Sequence, residues 1–191
     1  MPTALLVIDM LNRYEHEDAA PLMRSVRRVL PAISSLVAHA RSADVLSVYV
    51  NDHHGDWSAG RAELTQWALE GPDPSLIEPI APPRDAPFVV KARHSVFYQT
   101  QLEYLLRERS VDRVVLAGQV TEQCILYSAL DAYVRGFDVV LPRDAVAHIH
   151  EDLAGAAVRM METNMRAEIV ASNDDVFASH HPTPARQRSV R

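Results

Sequence analysis

Arg113-Val-Val-Leu-Ala-Gly-Gln-Val-Thr-Glu-Gln-Cys-Ile-Leu-Tyr-Ser-Ala-Leu-Asp-Ala-Tyr-Val-Arg-Gly-Phe-Asp-Val-Val-Leu141 reads as a strand, a helix and a second strand in direct succession. Arg113–Ala117 and Asp138–Leu141 are short, valine-rich apolar runs, long enough for strands and too short for helices. Residues 122–134 between them are amphipathic at helical spacing. Strands apolar on both faces, joined through a helix, belong to a parallel sheet covered on both sides.

The same alternation extends outward. Ala4–Ile8, Val45–Val50, Phe88–Val90 and Glu168–Ala171 bring the predicted strands to six. Val26, Val29, Leu30, Ile33, Leu36 and Val37 form one apolar helical stripe after the first strand, and Pro31 within it predicts a kink or break near Leu30. Thr100-Gln-Leu-Glu103 has capping-box spacing and predicts a helix running to about Arg107. Residues 151–165 supply another helix. The fold class is therefore α/β: a three-layer sandwich with a six-stranded, mainly parallel, Rossmann-like sheet. Gly55–Pro87 contains six prolines and both tryptophans. It predicts a long excursion over the top of the sheet with one short helix around Ala62–Leu69, serving as a lid, a subunit contact or a plain surface loop. Residues 1–178 are expected to form a single domain, with a disordered tail at 179–191.

Composition narrows the function classes. With 191 residues, 48% of them hydrophobic and 23% charged, the chain has material for a sizeable core. A formal charge of -6 argues against a general nucleic-acid binder. The apolar runs are too short for a bilayer, and the first leads straight into Asp9 without a leader pattern, so a soluble cytoplasmic protein with no membrane partner is expected. Cys124 is the sole cysteine, which excludes an internal disulfide framework and any Cys-x-x-Cys site.

Ligands of open α/β sheets bind beyond the carboxyl ends of the strands. At those ends stand Asp9, Asn51-Asp52, Lys91 and, after Gly118, the stretch leading to Cys124. Thr121 as N-cap would put Cys124 in the first turn of a helix, where unpaired N–H groups favour a thiolate and an oxyanion. A lone cysteine is often only a small core residue. A carboxylate and a lysine at the ends of apolar strands need partners, however. They are either a structural ion pair or, with Cys124, a triad in which Asp9 takes the thiol proton and Lys91 favours the thiolate.

Leu116-Ala-Gly-Gln-Val-Thr-Glu-Gln-Cys-Ile125, Leu6-Val-Ile-Asp-Met10 and Val90-Lys-Ala-Arg-His-Ser-Val-Phe-Tyr-Gln-Thr100 together resemble the isochorismatase-like cysteine hydrolases, over about residues 4–169. The resemblance implies a homodimer or homotetramer, and catalytic roles for Asp9, Lys91 and Cys124. It also implies a cis peptide between Gln119 and Val120, and an oxyanion hole from the N–H groups of Val120 and Cys124. Leu11 stands where the family often has glutamine, whereas Asn12 is retained. Members acting on the isochorismate enol ether lack the cysteine, so Cys124 points to a C–N bond.

Nicotinamidases of this superfamily bind a divalent ion through an Asp-x-His and a further histidine. Asp52 and His54 would be the candidate ligands here, but no third histidine fits, and three or four protein ligands are wanted. Asn51, Asp52 and Trp57 look more like the pocket border of metal-free members, so no cofactor is expected. Phe97, Tyr98 and Tyr127, with Trp57, are candidates for an aromatic wall. The expected activity is hydrolysis of a small carboxamide or ureido-type substrate through a thioester. The alternatives are a catalytically silent binding or assembly module and, behind it, a redox role for Cys124. A phosphatase with its second aspartate two positions after Asp9 is excluded by Leu11, and no glycine-rich nucleotide loop occurs.

Overall fold

The computed structural model describes residues 1–177. The predicted tail at 179–191 therefore lies outside the described residues. The sheet contains β1 (Thr3–Ile8), β2 (Leu46–Asp52), β3 (Phe88–Lys91), β4 (Arg113–Gln119), β5 (Asp138–Pro142), β6 (Val146–Ala147) and β7 (Glu168–Val170). Its order is β3-β2-β1-β4-β5-β7, with β6 paired to the end of β4, and every pairing is parallel. The helices are α1 (Ala19–Ser42), α2 (Arg61–Leu69), α3 (Leu102–Glu108), α4 (Leu126–Val134) and α5 (Glu151–Met165). None of them is long and apolar enough to cross a membrane.

Alternation along the strands divides the core into two layers. Ala4, Leu6, Ile8, Val114 and Leu116 face α3, α4 and α5, packing against Leu106, Ala129 and Met161. Leu5, Val7, Val115 and Ala117 face the other way, onto Val26, Ile33 and Leu36 of α1. A strand with both faces covered has no polar side, which is why these runs are apolar throughout.

Two local expectations are corrected. Pro31 does not divide α1, which is one helix from Ala19 to Ser42. Pro31 lies on its exposed face, where water can satisfy the carbonyl one turn earlier that loses its N–H partner. Thr100 does not open a capping box: α3 begins at Leu102 after Gln101, the Thr100 hydroxyl donates to the Val96 carbonyl (2.6 Å), and Glu103 instead pairs with Arg135 (2.9 Å). The excursion after Gly55 packs its Trp67 on His54 and Arg13, in the loops just beyond the carboxyl ends of β2 and β1. It carries α2 and two 3-10 turns, and Leu76, Ile77 and Ile80 are buried in the layer beneath α1.

One glycine is fixed by close approach. Gly118 has φ +123°, and a Cβ there would stand 2.1 Å from the Ile8 carbonyl oxygen. Only glycine lets β4 run this close to β1. That contact sets the end of β4 beside Asp9, the residue that follows β1.

Candidate active site

Four strand ends meet at one cleft of about 250 Å³. Asp9 leaves β1 in the left-handed conformation (φ 55°), which turns its side chain across the sheet edge. One carboxylate oxygen accepts the Asp52 N–H (2.9 Å) and the other meets the Lys91 ammonium (2.9 Å). Lys91 ends β3 with its side chain only 1% exposed, and its Nζ also lies 3.8 Å from Asp52 and 3.7 Å from the Cys124 Sγ. Burying an ammonium this deeply is costly unless carboxylates surround it. Burial alone would lower the Lys91 pKa, but Asp9, Cys124 and Asp52 outweigh it and hold the value above the usual 10.5.

Cys124 sits differently from expectation. Thr121–Ile125 is a π-helical turn ahead of α4, capped from Val120, and Thr121 donates its hydroxyl to the Ala147 carbonyl (2.8 Å) rather than capping a helix. The wider turn closes with Ile125 N–H donating to the Val120 carbonyl (3.1 Å), so Cys124 stands between that carbonyl's two donors, Gln123 and Ile125. Such turns recur where a side chain must be aimed at a site. The peptide between Gln119 and Val120 is cis. Burial first, and the Asp9 charge second, push the Cys124 thiol well above its usual 9.0. Lys91 and a hydrogen bond with the Val120 backbone act against that rise. The direction of the shift favours the thiol, and the Lys91 ammonium, 3.7 Å from Sγ and 2.9 Å from the Asp9 carboxylate, joins the sulfur to the carboxylate that would take its proton.

These shifts carry a consequence for stability. Above pH 9.0 the unfolded chain releases the Cys124 proton while the folded chain keeps it, so folding becomes less favourable as pH rises. Burial raises Tyr14 from 10.0 with the same sign, and the Lys91 contribution is also lost on the alkaline side. The melting temperature is expected to fall from about pH 9 upward. In Cys124→Ala the onset should move toward pH 10, and thermal melts across this range check it.

The structure separates the remaining predicted pocket residues. Asp52 and Val120 line the cleft. Asn51 is buried behind it, where its amide accepts from Leu11 N–H (2.9 Å) and donates to the Leu11 carbonyl (3.0 Å). The backbone at Leu11 is held in this way without the expected glutamine. Trp57 is 78% exposed and stacks on His53, and Phe97 is buried in the core against Phe137; neither lines the cleft. Tyr98 and Tyr127 are also absent from its wall, so the aromatic enclosure does not form.

Other cleft residues receive no role from the sequence, although Gln119, Gln123 and His94 lie within the quoted motifs and Asn12 is retained. Gln119 donates to the Asp9 carbonyl (2.5 Å) and faces the Tyr14 hydroxyl (3.4 Å), linking β4 to the turn after β1. His94 brings Nδ1 to 3.7 Å from the Cys124 sulfur, and Asn12, His16, Asp18, Gln123 and Ile149 complete the lining. For His16, Asp18 and Ile149 the sequence carries no signal beyond the ends of the elements they flank.

Asp52 and His54, the candidate metal ligands, are both engaged by protein groups. His54 Nε2 lies 2.8 Å from the Leu11 carbonyl, an acceptor, and 3.2 Å from the Asn51 amide nitrogen, a donor. The Asp52 carboxylate is shared between the His54 N–H (2.9 Å) and Lys91. Among the described residues no group of three histidine, cysteine, aspartate or glutamate side chains is placed to hold an ion.

Comparison with known proteins agrees with this architecture. A family model described as the isochorismatase domain matches residues 3–174. The uncharacterized isochorismatase family protein YaaI of Bacillus subtilis (strain 168) is 34% identical over 166 residues, 87% of this chain and 92% of that one. Maleamate amidohydrolase of Pseudomonas putida is 32% identical over 158 residues, covering 78% and 74%. The crystal structure of an isochorismatase-like hydrolase from Alkaliphilus metalliredigens superposes with a TM-score of 0.73 at 25% identity, over 90% of this chain and 95% of that one. By its sequence and by its sheet, the chain belongs to the isochorismatase family.

Proposed function

We propose that this hydrolase cleaves the C–N bond of a small carboxamide or ureido-type substrate through a thioester on Cys124. One observation carries the reading: at a single cleft fed by three strand ends, the Lys91 ammonium lies 2.9 Å from the Asp9 carboxylate and 3.7 Å from the Cys124 sulfur. Asp9 accepts the thiol proton as Sγ attacks the carbonyl carbon, and Lys91 offsets the negative charge that appears on sulfur. The substrate oxygen, now an anion, is held by the N–H groups of Val120 and Cys124. Asp9 returns the proton to the departing nitrogen, and ammonia or an amine leaves. Water, deprotonated by Asp9, then attacks the thioester, releasing the acid and restoring the thiol.

The cleft volume favours a small substrate, because drug-sized ligands occupy roughly 300 Å³ or more. Relatives named for amide hydrolysis, the Pseudomonas maleamate amidohydrolase and nicotinamidase 3 of Arabidopsis thaliana, support a carboxamide. The test is ammonia release from a panel of small carboxamides and ureido acids, nicotinamide included, with Cys124→Ala as control. Release that depends on Cys124 supports the reading. No release from any member favours a catalytically silent binding module.

We also read the protein as a single cytoplasmic domain over residues 1–178 that self-associates. Tyr127, Leu130 and Val134 form an exposed apolar stripe on α4, and large faces of this kind tend to be covered. Light scattering is expected to give a dimer or tetramer of the 21.3 kDa chain. A monomer at micromolar concentration would contradict self-association.

A further inference from the structure

The formal charges around the cleft are unequal. Asp9, Asp18 and Asp52 line it, and Lys91 is the only lysine or arginine among the described residues that does so. Lys91 has no face left for a ligand, since Asp9, Asp52 and Cys124 surround its buried ammonium. A substrate carboxylate entering this cleft would find no free lysine or arginine among the described residues and would approach three carboxylates, with His16, His54 and His94 as the other ionisable groups of the lining.

Asp18 differs from the other two. Asp9 is tied to Lys91, and Asp52 is shared between Lys91 and the His54 N–H. Asp18 sits half-buried at the N-cap of α1, yet its side chain makes no capping hydrogen bond, and no ion pair reaches it among the described residues. It is the carboxylate in the cleft with free acceptor capacity. A ligand bearing an ammonium there would gain a charge-assisted hydrogen bond, whereas an anion would be repelled.

The geometry points to an amide substrate that carries a cationic, ammonium-type group away from the scissile bond, with Asp18 as the residue that selects it. This assignment rests on the proposed hydrolysis at Cys124 and names the substrate class for that site. It separates this chain from relatives such as maleamate amidohydrolase, which is named for an anionic amide.

Because Cys124 is the sole cysteine, its modification rate reports the charge selectivity of the cleft without requiring turnover. The probes are the 2-ammonioethyl, 2-hydroxyethyl and 2-sulfonatoethyl methanethiosulfonates, each rate normalised to its reaction with free cysteine. At low salt the cationic reagent is expected to exceed the anionic one by about 30-fold or more, and added salt should shrink the ratio. Asp18→Asn keeps a good N-cap residue and should cut that ratio by about fivefold, whereas Asp18→Lys should cut it further. In parallel, ammonia release is compared for 3-aminopropanamide, butanamide and succinamate.

A normalised ratio near one, or a ratio unchanged in Asp18→Asn, overturns the assignment. So does faster release from succinamate than from 3-aminopropanamide. An Asp18-dependent reagent ratio without release from any amide would uphold the charge selectivity and count against hydrolysis, so the two failures are distinguishable.

Discussion

Cys124→Ala is expected to lower ammonia release from any carboxamide the protein turns over by on the order of 10⁴-fold or more, while leaving the fold intact. The size of the effect follows from the chemistry assigned to sulfur. Without Sγ no thioester forms, and the Val120 and Cys124 N–H groups can polarise a carbonyl but supply no nucleophile. The fold should survive because the substitution removes a single sulfur from the edge of a cleft, and with it a group whose ionisation burial opposes. The structural cost should be about 1 kcal/mol at most. Ammonia release and a thermal melt on the same preparation check both halves. A mutant that melts normally and retains activity would remove Cys124 from the mechanism.

Asp9→Asn should be nearly as damaging, by about 10³-fold or more, and for a reason that can be isolated. The Asp9 charge raises the thiol pKa, so its removal makes Cys124 easier to ionise. The mutant is therefore expected to hold more thiolate at a given pH and yet turn over far less, because the group that moves the proton has gone. Lys91→Met should shift the thiol the other way, since the Lys91 charge favours the thiolate. It also strands the buried Asp9 carboxylate without its cation, at a cost of about 3–5 kcal/mol. Titration of the thiolate absorbance beside steady-state rates separates the two variants. If Asp9→Asn raised the thiol pKa, or left turnover intact, the base assignment would fail.

Much of this site can be read in the sequence because a parallel sheet converts strand ends into neighbours. Asp9, Lys91 and Cys124 are far apart in the chain, but each follows or closes an apolar run that has only one place to go. That both faces of the sheet are covered is equally legible, because Ala4–Ile8 is apolar throughout, whereas which face meets the stripe Val26–Ile33–Leu36 comes from the structure. What could not be read depends on tertiary partners. Thr100 and Thr121 have the chemistry of caps, but their hydroxyls donate to the tertiary carbonyls of Val96 and Ala147, and only Thr100 also accepts a helix-start N–H, that of Leu102 (3.3 Å). Pro31 is tolerated because it happens to face water. The two-residue β6 exists only through its pairing with β4, and no pattern that short stands out.

The aromatic residues illustrate the same limit. Trp57 and Phe97 both lie close in sequence to site residues, yet one is out in solvent and the other is core. Proximity along the chain cannot decide between these once a loop turns away from the cleft. Asn51 shows the reverse case: it misses the pocket wall but fixes Leu11, and through it the turn that follows Asp9. Gln119 acts on the Asp9 carbonyl from the opposite side. Both are positioning residues that a strand-end rule cannot distinguish from site residues.

The most direct measurement is rapid-quench mass spectrometry of the protein mixed with a carboxamide from which it releases ammonia. The expected result is a transient mass increase on the peptide containing Cys124, equal to the acyl part of that substrate. It should be lost on treatment with hydroxylamine and absent from Cys124→Ala. Continued ammonia release with no acyl group on Cys124 at any time point, or with the acyl group on another residue, would contradict the thioester mechanism.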